Sequence, residues 1–416
     1  MSKNVIVIGG GIIGLCSAYY LSKEGHRVTV IDKSDITSGA SFVNAGYLTP
    51  SHIIPIASPG MIAKGIKWMF NSSSPFYMKP RFDLDFFKWS WYFHRASTNE
   101  KVERAIPVIK DINLLSRDLF EDLKSSNDLG DFQLERKGLL MLYKTDAAGE
   151  EEMTVAEKAK YLGLEVSLLN KQQLDAIEPN VEIDAKGAIH YKCDRHMTPT
   201  EFMPKMLEYL KEKSVSIKTN EEILDITLSG SNISEIKTAK GTYTADEVIL
   251  AAGSWSGIIS KKLNIKLPIQ AGKGYRVNVD RPTGINLPAI LLEAKVAVTP
   301  MKGFTRFAGT MEFSGINSII KKERVKAIGN AARDFYPEIT ISQDELEDAK
   351  SGMRPVSPDG LPYIGKCDTI NNLTFATGHA MMGWSLGPAT GKLVSEIVNN
   401  KKTSLDISAF APHRKF

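Results

Sequence analysis

The sequence predicts a mixed fold of α/β and α+β class, in which a parallel-sheet unit is interrupted by a second domain built on an antiparallel sheet. Three observations predict it. Residues 4–32 read as strand, glycine turn, helix and strand, and a buried-type strand at 247–250 returns to that pattern more than 200 residues later. Residues 266–320 alternate short β-branched runs with Pro and Gly turns. At 416 residues the chain is also too long for one ordinary core.

The elements follow in order. NVIVI is the first strand, a helix with Leu15, Ala18, Tyr19 and Leu21 near one face comes next, and Gly25 stops it as a C′ residue. VTVI is the second strand and ends at Asp32. The uncharged run Val5 to Leu21 after Lys3 resembles the apolar part of an export signal, but Gly9, Gly10 and Gly11 interrupt it and no A-x-A-like site follows, so no signal peptide is expected. The stretch 47–100, punctuated by Pro50, Pro55, Pro59, Pro75 and Pro80, reads as an insertion. A helix at 104–126, a strand at 134–145 and a helix at 153–164 come next. The chain then gives a helix in TPTEFMPKMLEYLKEK, the strand VSIKT and a β-meander closing in the 247–250 strand. After the 266–320 sheet come helical ERVKAIGNAARDFY, acidic SQDELEDAK, the strand NLTFATG and a helix from about Gly387 to Asn399.

Composition narrows the function. The charge of +4, from 52 basic and 48 acidic residues, is spread without blocks and does not indicate nucleic-acid binding. Cys16, Cys193 and Cys367 lie far apart, so neither a disulfide framework nor a cysteine metal motif is expected, and a reducing, cytoplasmic setting fits. No apolar run reaches the roughly 18 residues a membrane span needs, which leaves only peripheral association.

Chemistry begins at Gly9, Gly11 and Gly14, a GxGxxG placed after a strand and at a helix start, with Asp32 18 residues beyond Gly14 at the end of the next strand. Gly9 permits the tight turn, Gly11 the approach of backbone amides to a pyrophosphate, and Gly14 close packing of strand and helix. The positive end of the helix dipole then faces the phosphates, and Asp32 accepts from ribose hydroxyls. NAD and FAD share this fingerprint. EVILAAGSWS at 247–256 favours FAD, because Ala252 and Gly253 bring a second close backbone approach to the cofactor from far along the chain.

With these residues, and with SGMRPVSPDGLPYIG and TGHAMMGWSLGPATGK behind them, the sequence resembles the FAD-dependent D-amino acid oxidase superfamily over essentially its whole length. The segment SFVNAGYLTPSHIIPIASPGMIAKGIKWM is most similar to bacterial D-amino acid dehydrogenases. The resemblance implies a Rossmann-like FAD-binding domain, discontinuous over 1–60, 190–262 and 345–416, and an antiparallel-sheet substrate-binding domain over 61–189 and 263–344. It implies that Arg354 binds the substrate carboxylate, a task suited to its planar fork. It also implies that Gly378, His379, Gly383 and Trp384 lie in the loop and helix start beneath the flavin ring, that Asn44, Ala45 and Gly46 turn near that ring, and that Ser41 contacts phosphate or ribityl. His379 reads equally as a structural histidine. Tyr275 is the candidate hydroxyl of the carboxylate clamp or else a sheet aromatic, with His52 and Glu312 as further pocket candidates. No cysteine lies just before Pro358 and Asp359, where sarcosine oxidases attach their flavin, so FAD is expected to be non-covalent, and no metal is expected.

The implied reaction is oxidation of a D-amino acid to an imino acid, which water hydrolyses to a 2-oxo acid and ammonia, with electrons passing to a quinone or carrier protein. Oxidation of D-proline, D-hydroxyproline, glycine or sarcosine is the alternative within the superfamily. A non-catalytic FAD-binding subunit of an electron-transfer complex is the alternative outside catalysis. FTRFAGTMEFSG at 304–315 lacks the lysine that some oxygen-using relatives place near the flavin, which leans towards a dehydrogenase. The stretch from Ile53 to Phe93, with Lys64, Lys67, Trp68, Lys79, Trp89 and Trp91, reads either as core plus solvated lysines or as peripheral contact with the inner face of the plasma membrane.

Overall fold

The computed structural model describes residues 1–60, 76–79 and 81–416. Its first sheet has six strands in the order Tyr363–Lys366, Leu373–Thr377, Glu247–Leu250, Asn4–Ile8, Arg27–Ile31 and Ser216–Lys218. All neighbours are parallel except the outermost pair, Tyr363–Lys366 against Leu373–Thr377. The β-branched runs account for this, since Val5, Val7, Val30, Val248 and Ile249 are at most 1% exposed, the burial on both faces that parallel strands under helices require. Leu15, Cys16 and Leu21 of helix Ile12–Lys23 share one core with Val394 and Val398 of helix Gly387–Val398. The expected meander forms a separate antiparallel sheet of Ile223–Ser229, Asn232–Thr238 and Thr242–Tyr243.

The second large sheet runs Lys350–Val356, Gln270–Val279, Phe304–Phe313, Val296–Met301, Ala289–Leu291, Leu139–Tyr143, Gly187–Tyr191 and Val166–Asn170, with Phe76–Met78 beside Phe304–Phe313. Its faces divide by the two-residue period of a strand. Tyr275, Val277, Val279 and Phe307 pack beneath Val325, Ile328, Ala331 and Phe335 of helix Lys322–Phe335. The alternate residues Arg276, Asn278 and Arg306 turn the other way, towards the loops of the first sheet.

Three expectations are corrected. Segment 345–416 does not belong wholly to the cofactor unit, because Lys350–Val356 is the edge strand of the second sheet, where Pro355 needs no partner on its outer side. Gly187–Tyr191 likewise extends that sheet across the expected boundary at 190. Conversely, helix Asn99–Ser126, expected within the substrate domain, joins Ala105, Ile109 and Ile112 to Leu386, Ala389 and Leu393 in one core. It begins earlier than its apolar period suggests because Thr98 caps it, accepting from Lys101 N–H.

Candidate active site

The glycine turn is as tight as its sequence implies. Gly9 has φ +113°, and a Cβ there would stand 2.4 Å from the Ala251 oxygen and 2.9 Å from Ala252 Cα. A Cβ on Gly14 would be 1.8 Å from the Gly9 oxygen. The turn and the end of strand Glu247–Leu250 are therefore in direct backbone contact, which brings Ala252 and Gly253 to the same place. Helix Ile12–Lys23 starts at Gly11 with no side-chain cap on that residue, and Ile12 N–H donates to Ser41 Oγ at 2.9 Å. Asp32 Oδ1 accepts from both Ser34 N–H and Ser34 Oγ, whereas among the described residues Oδ2 takes only Gly10 N–H at 2.6 Å. One acceptor direction on Oδ2 is thus left for a ribose hydroxyl. A helix start on a glycine, a cradle that any Cβ would fill and a carboxylate with spare capacity fit the ADP half of FAD.

The segments expected around the flavin ring converge. Asn44 Oδ1 accepts from Gly46 N–H at 2.7 Å, and Nδ2 donates to the Ala40 and Ser41 carbonyls, which fixes the Asn44–Ala45–Gly46 turn. Thr49 N–H donates to Ser385 Oγ at 3.1 Å, joining this chain stretch to the Gly378–Trp384 segment. Ala380 N–H donates to the Pro355 carbonyl at 2.8 Å, and His379 bridges Val356, so that segment also meets the strand carrying Arg354. On the other side Ser254 Oγ donates to the Met353 carbonyl.

Arg354 has a prepared seat. Its guanidinium lies over Gly274, where a Cβ would be 2.3 Å from Nη1 and 2.5 Å from Nη2. Nη1 donates to the Thr310 carbonyl at 2.8 Å. Thr310 holds φ +73°, rare for a β-branched residue, at a register shift between strands Gln270–Val279 and Phe304–Phe313. Burial pulls the Arg354 pKa down to about 10, which leaves it a cation at neutral pH. Nε and Nη2 make no hydrogen bond among the described residues, so one edge of the fork is open to a carboxylate.

Other expected site residues lie apart from this seat. Tyr275 is one residue beyond Gly274 and so on the opposite face, where its hydroxyl donates to Glu312 Oε2 at 2.8 Å. Glu312, 1% exposed, shares that side with Lys273 at 3.6 Å and Arg324 at 3.4 Å. Neither Tyr275 nor Glu312 joins Arg354. Trp384, expected in the loop and helix start beneath the flavin ring, turns its side chain into the first core against Phe202 and Phe120, where a large apolar ring is held well. His379 is 1% exposed, with Nε2 2.9 Å from Thr390 Oγ1; burial pushes its pKa down to about 3 and keeps it neutral. Its role in the chain is to tie the loop to helix Gly387–Val398. His52 is pushed down to about 4 by burial and neighbours Ser51, whose hydroxyl and N–H both donate to buried Asp194. Desolvation raises Asp194 to about 7.

Arg306 and Thr299 are residues that sequence reasoning missed. Arg306 Nη1 donates to the Phe42 and Asn44 carbonyls at 2.9 and 2.8 Å, and Thr299 Oγ1 donates to the Ala45 carbonyl at 2.7 Å. An arginine between Thr305 and Phe307 in a sheet-forming run was the available signal.

The aromatic stretch divides. In helix Leu84–Ala96, Phe86 and Trp89 are buried while Leu84, Phe87 and Trp91 form an exposed stripe at helical spacing, with Phe82 fully exposed before them. Lys64, Lys67 and Trp68 lie outside the described residues. A groove of about 880 Å³ beside this helix is lined by Arg81, Lys88, Arg95, Lys261 and Lys266. It contains none of the expected site residues, so the groove is separate from the Arg354 seat. Among the described residues no helix is long and apolar enough to cross a membrane, and no cluster of His, Cys, Asp or Glu could hold a metal.

Comparison with known proteins agrees with this geometry. The FAD dependent oxidoreductase family matches residues 4–397. A D-amino acid dehydrogenase of Vibrio atlanticus (strain LGP32) is 30% identical over 425 residues, covering 99% of each chain. One from Neisseria meningitidis serogroup C (strain 053442) is 30% identical over 96% of this chain and 97% of its own. In structure the chain is similar to glycine oxidase from Geobacillus kaustophilus, with TM-score 0.80 and 22% identity over 100% and 99% of the two chains. L-proline dehydrogenase from P. horikoshii superposes with TM-score 0.75 and 21% identity over 99% and 97%. At these identities the solved structures speak for the fold alone.

Proposed function

The chain belongs to the FAD-dependent oxidoreductase family, and we propose that it oxidises a D-amino acid at the α-carbon, with Arg354 gripping the substrate carboxylate. The observation that carries this reading is the seat of Arg354: a cation laid flat over Gly274, held at one nitrogen by the Thr310 carbonyl and, among the described residues, open along the rest of its fork. A structural arginine would spend those donors on the protein. The similarity to D-amino acid dehydrogenases supports the choice of substrate class.

FAD, when bound, supplies the two-electron acceptor for the α-hydrogen of the neutral amine, and the resulting imino acid hydrolyses to a 2-oxo acid and ammonia. Gly9, Gly11, Gly14 and Asp32 would hold its ADP half, with Ser41 and the Ala252–Gly253 turn alongside. Asn44, Ala45, Gly46, Gly378 and Gly383 would border its ring. The chain's own contribution is orientation: bidentate capture of the carboxylate fixes where the α-carbon stands.

The electron acceptor is a quinone or a carrier protein in this reading. The exposed stripe Leu84, Phe87 and Trp91, preceded by Phe82 and flanked by Lys88 and Arg95, suits peripheral contact with an anionic membrane surface.

Anaerobic addition of D-amino acids, glycine, sarcosine and D-hydroxyproline to the yellow holoprotein tests the assignment. Bleaching by D-amino acids in preference to the others supports it. Absence of bleaching by every compound would leave the chain a flavin carrier and sink the proposal.

A further inference from the structure

Arg306 is 1% exposed in the middle of strand Phe304–Phe313. Its Nε donates to Asn278 Oδ1 at 3.1 Å and its Nη1 to the Phe42 and Asn44 carbonyls. No carboxylate lies within 4.0 Å of it among the described residues. The neighbouring charge is Arg276, of the same sign, whose own partner is Asp348 at 3.2 Å. Burial first, and Arg276 second, pull the Arg306 pKa down to about 9, so the guanidinium is still charged at neutral pH. Neutral carbonyls and an amide hold it in place but bring no net negative charge. A buried cation left in this state calls for a counter-charge from outside the chain.

The direction from which that charge would come is set by the turn that Arg306 grips. Its carbonyls at Phe42, Asn44 and Ala45 all accept from the second sheet, through Arg306 and Thr299. In a trans peptide the N–H points opposite to the preceding carbonyl. The Ala45 N–H therefore points away from Arg306, and it has no acceptor among the described residues.

We propose that Arg306 is a positioning residue of the flavin-binding turn: it aims the Ala45 N–H at the flavin, and its uncompensated charge favours the reduced cofactor. Uptake of two electrons and one proton leaves bound flavin with one added negative charge, which is the missing counter-charge. The inference rests on the proposed placement of the Asn44–Gly46 turn beside the flavin ring.

The test is the midpoint potential of the FAD-loaded protein, measured with its FAD dissociation constant. Arg306→Gln removes the charge and is expected to disfavour reduced flavin about tenfold, ~30 mV for a two-electron couple. Arg306→Lys keeps the charge and is expected to restore the potential while binding FAD a few-fold more weakly. Asn278→Asp neutralises the arginine with its hydrogen bond in place, and is expected to lower the potential in a protein that folds whether or not the glutamine variant does. Thr299→Val is expected to weaken FAD binding with no change of potential. Parental potential in Asn278→Asp, or in a folded Arg306→Gln that retains FAD, would overturn the role of Arg306. A wild-type chain that binds no FAD would instead overturn the cofactor site as a whole.

Discussion

The guanidinium of Arg354 rests on the backbone of Gly274 so closely that a single added carbon there would fall 2.3 Å from Nη1. In the proposed reading, substrate binding is thereby tied to a residue with no side chain. Gly274→Ala must displace the arginine, so its KM for the amino acid should rise while the flavin spectrum stays that of the parent. Arg354→Ala should raise KM further, by about 10- to 100-fold, since hydrogen bonds to charged groups are worth about 1.5–3 kcal/mol. Steady-state kinetics would decide, and an unchanged KM in Arg354→Ala would remove the carboxylate role.

Gly14→Ala should yield a protein without flavin. Its Cβ would sit 1.8 Å from the Gly9 oxygen, where only movement of the backbone could relieve the clash. Asp32→Ala should retain some FAD but bind it about tenfold or more weakly, because the ribose acceptor and the Gly10 bond are lost together. Flavin absorbance per chain after gel filtration measures both.

Stability should fall on acidification, in part through His379. Its folded pKa of about 3 lies beneath the unfolded value of about 6.5, so the unfolded chain takes up the proton first. The contribution is whole above pH 6.5 and is lost as pH falls towards 3, reaching about 3 kcal/mol at pH 4. His52, pushed down to about 4, acts in the same direction. Asp194, raised to about 7, acts oppositely between pH 4 and 7, so variant and parent must be compared at each pH. The melting temperature of His379→Gln should depend less steeply on pH than the parent's between 6.5 and 4, and parallel curves would discount the histidine.

FAD should leave the chain on acid precipitation and appear in the supernatant. Cys16 and Cys193 are buried, and Cys367 lies beside Thr369 at the rim of the first sheet, away from the converging loops. Flavin that stayed with the pellet would contradict non-covalent binding.

The double substitution Phe87→Ser, Trp91→Ser should reduce flotation with anionic liposomes at low salt while leaving the bleaching of the flavin by substrate intact. Both side chains are more than half exposed and contribute nothing to the Phe86 and Trp89 core. Equal flotation of the two proteins, or none by the parent, would remove the membrane reading.

What the sequence made legible was local chemistry. Gly9, Gly14 and Asp32 act through backbone spacing that a motif encodes, and Asn44 fixes its own turn through residues at most four positions away. Arg354 was readable through its surrounding motif, but its seat was not, because Gly274 and Thr310 come from two other strands. Tyr275 shows why. Facing follows parity along a strand, and its neighbour Gly274 occupies the side on which the Arg354 guanidinium lies. The register shift at Thr310 moves the parity again before Glu312, so counting alternate residues from sequence fails there. Arg306 was hidden because its partners, Phe42 and Asn44, are more than 250 residues distant and offer only main-chain oxygens. Trp384 kept its expected neighbours in sequence yet turned its ring into the core.

The order of strands in the first sheet has a consequence for biosynthesis. Asn4–Ile8, made first, lies between Arg27–Ile31 and Glu247–Leu250, so one of its edges waits for some 240 further residues. Glu247–Leu250 in turn waits for Leu373–Thr377. A ribosome-bound chain therefore carries an unpaired edge of Val and Ile until nearly all of it has emerged, the condition in which strand edges recruit other chains. Non-local pairing of this kind slows folding, and release of fragments ending before residue 373 should yield aggregates rather than a smaller folded flavoprotein.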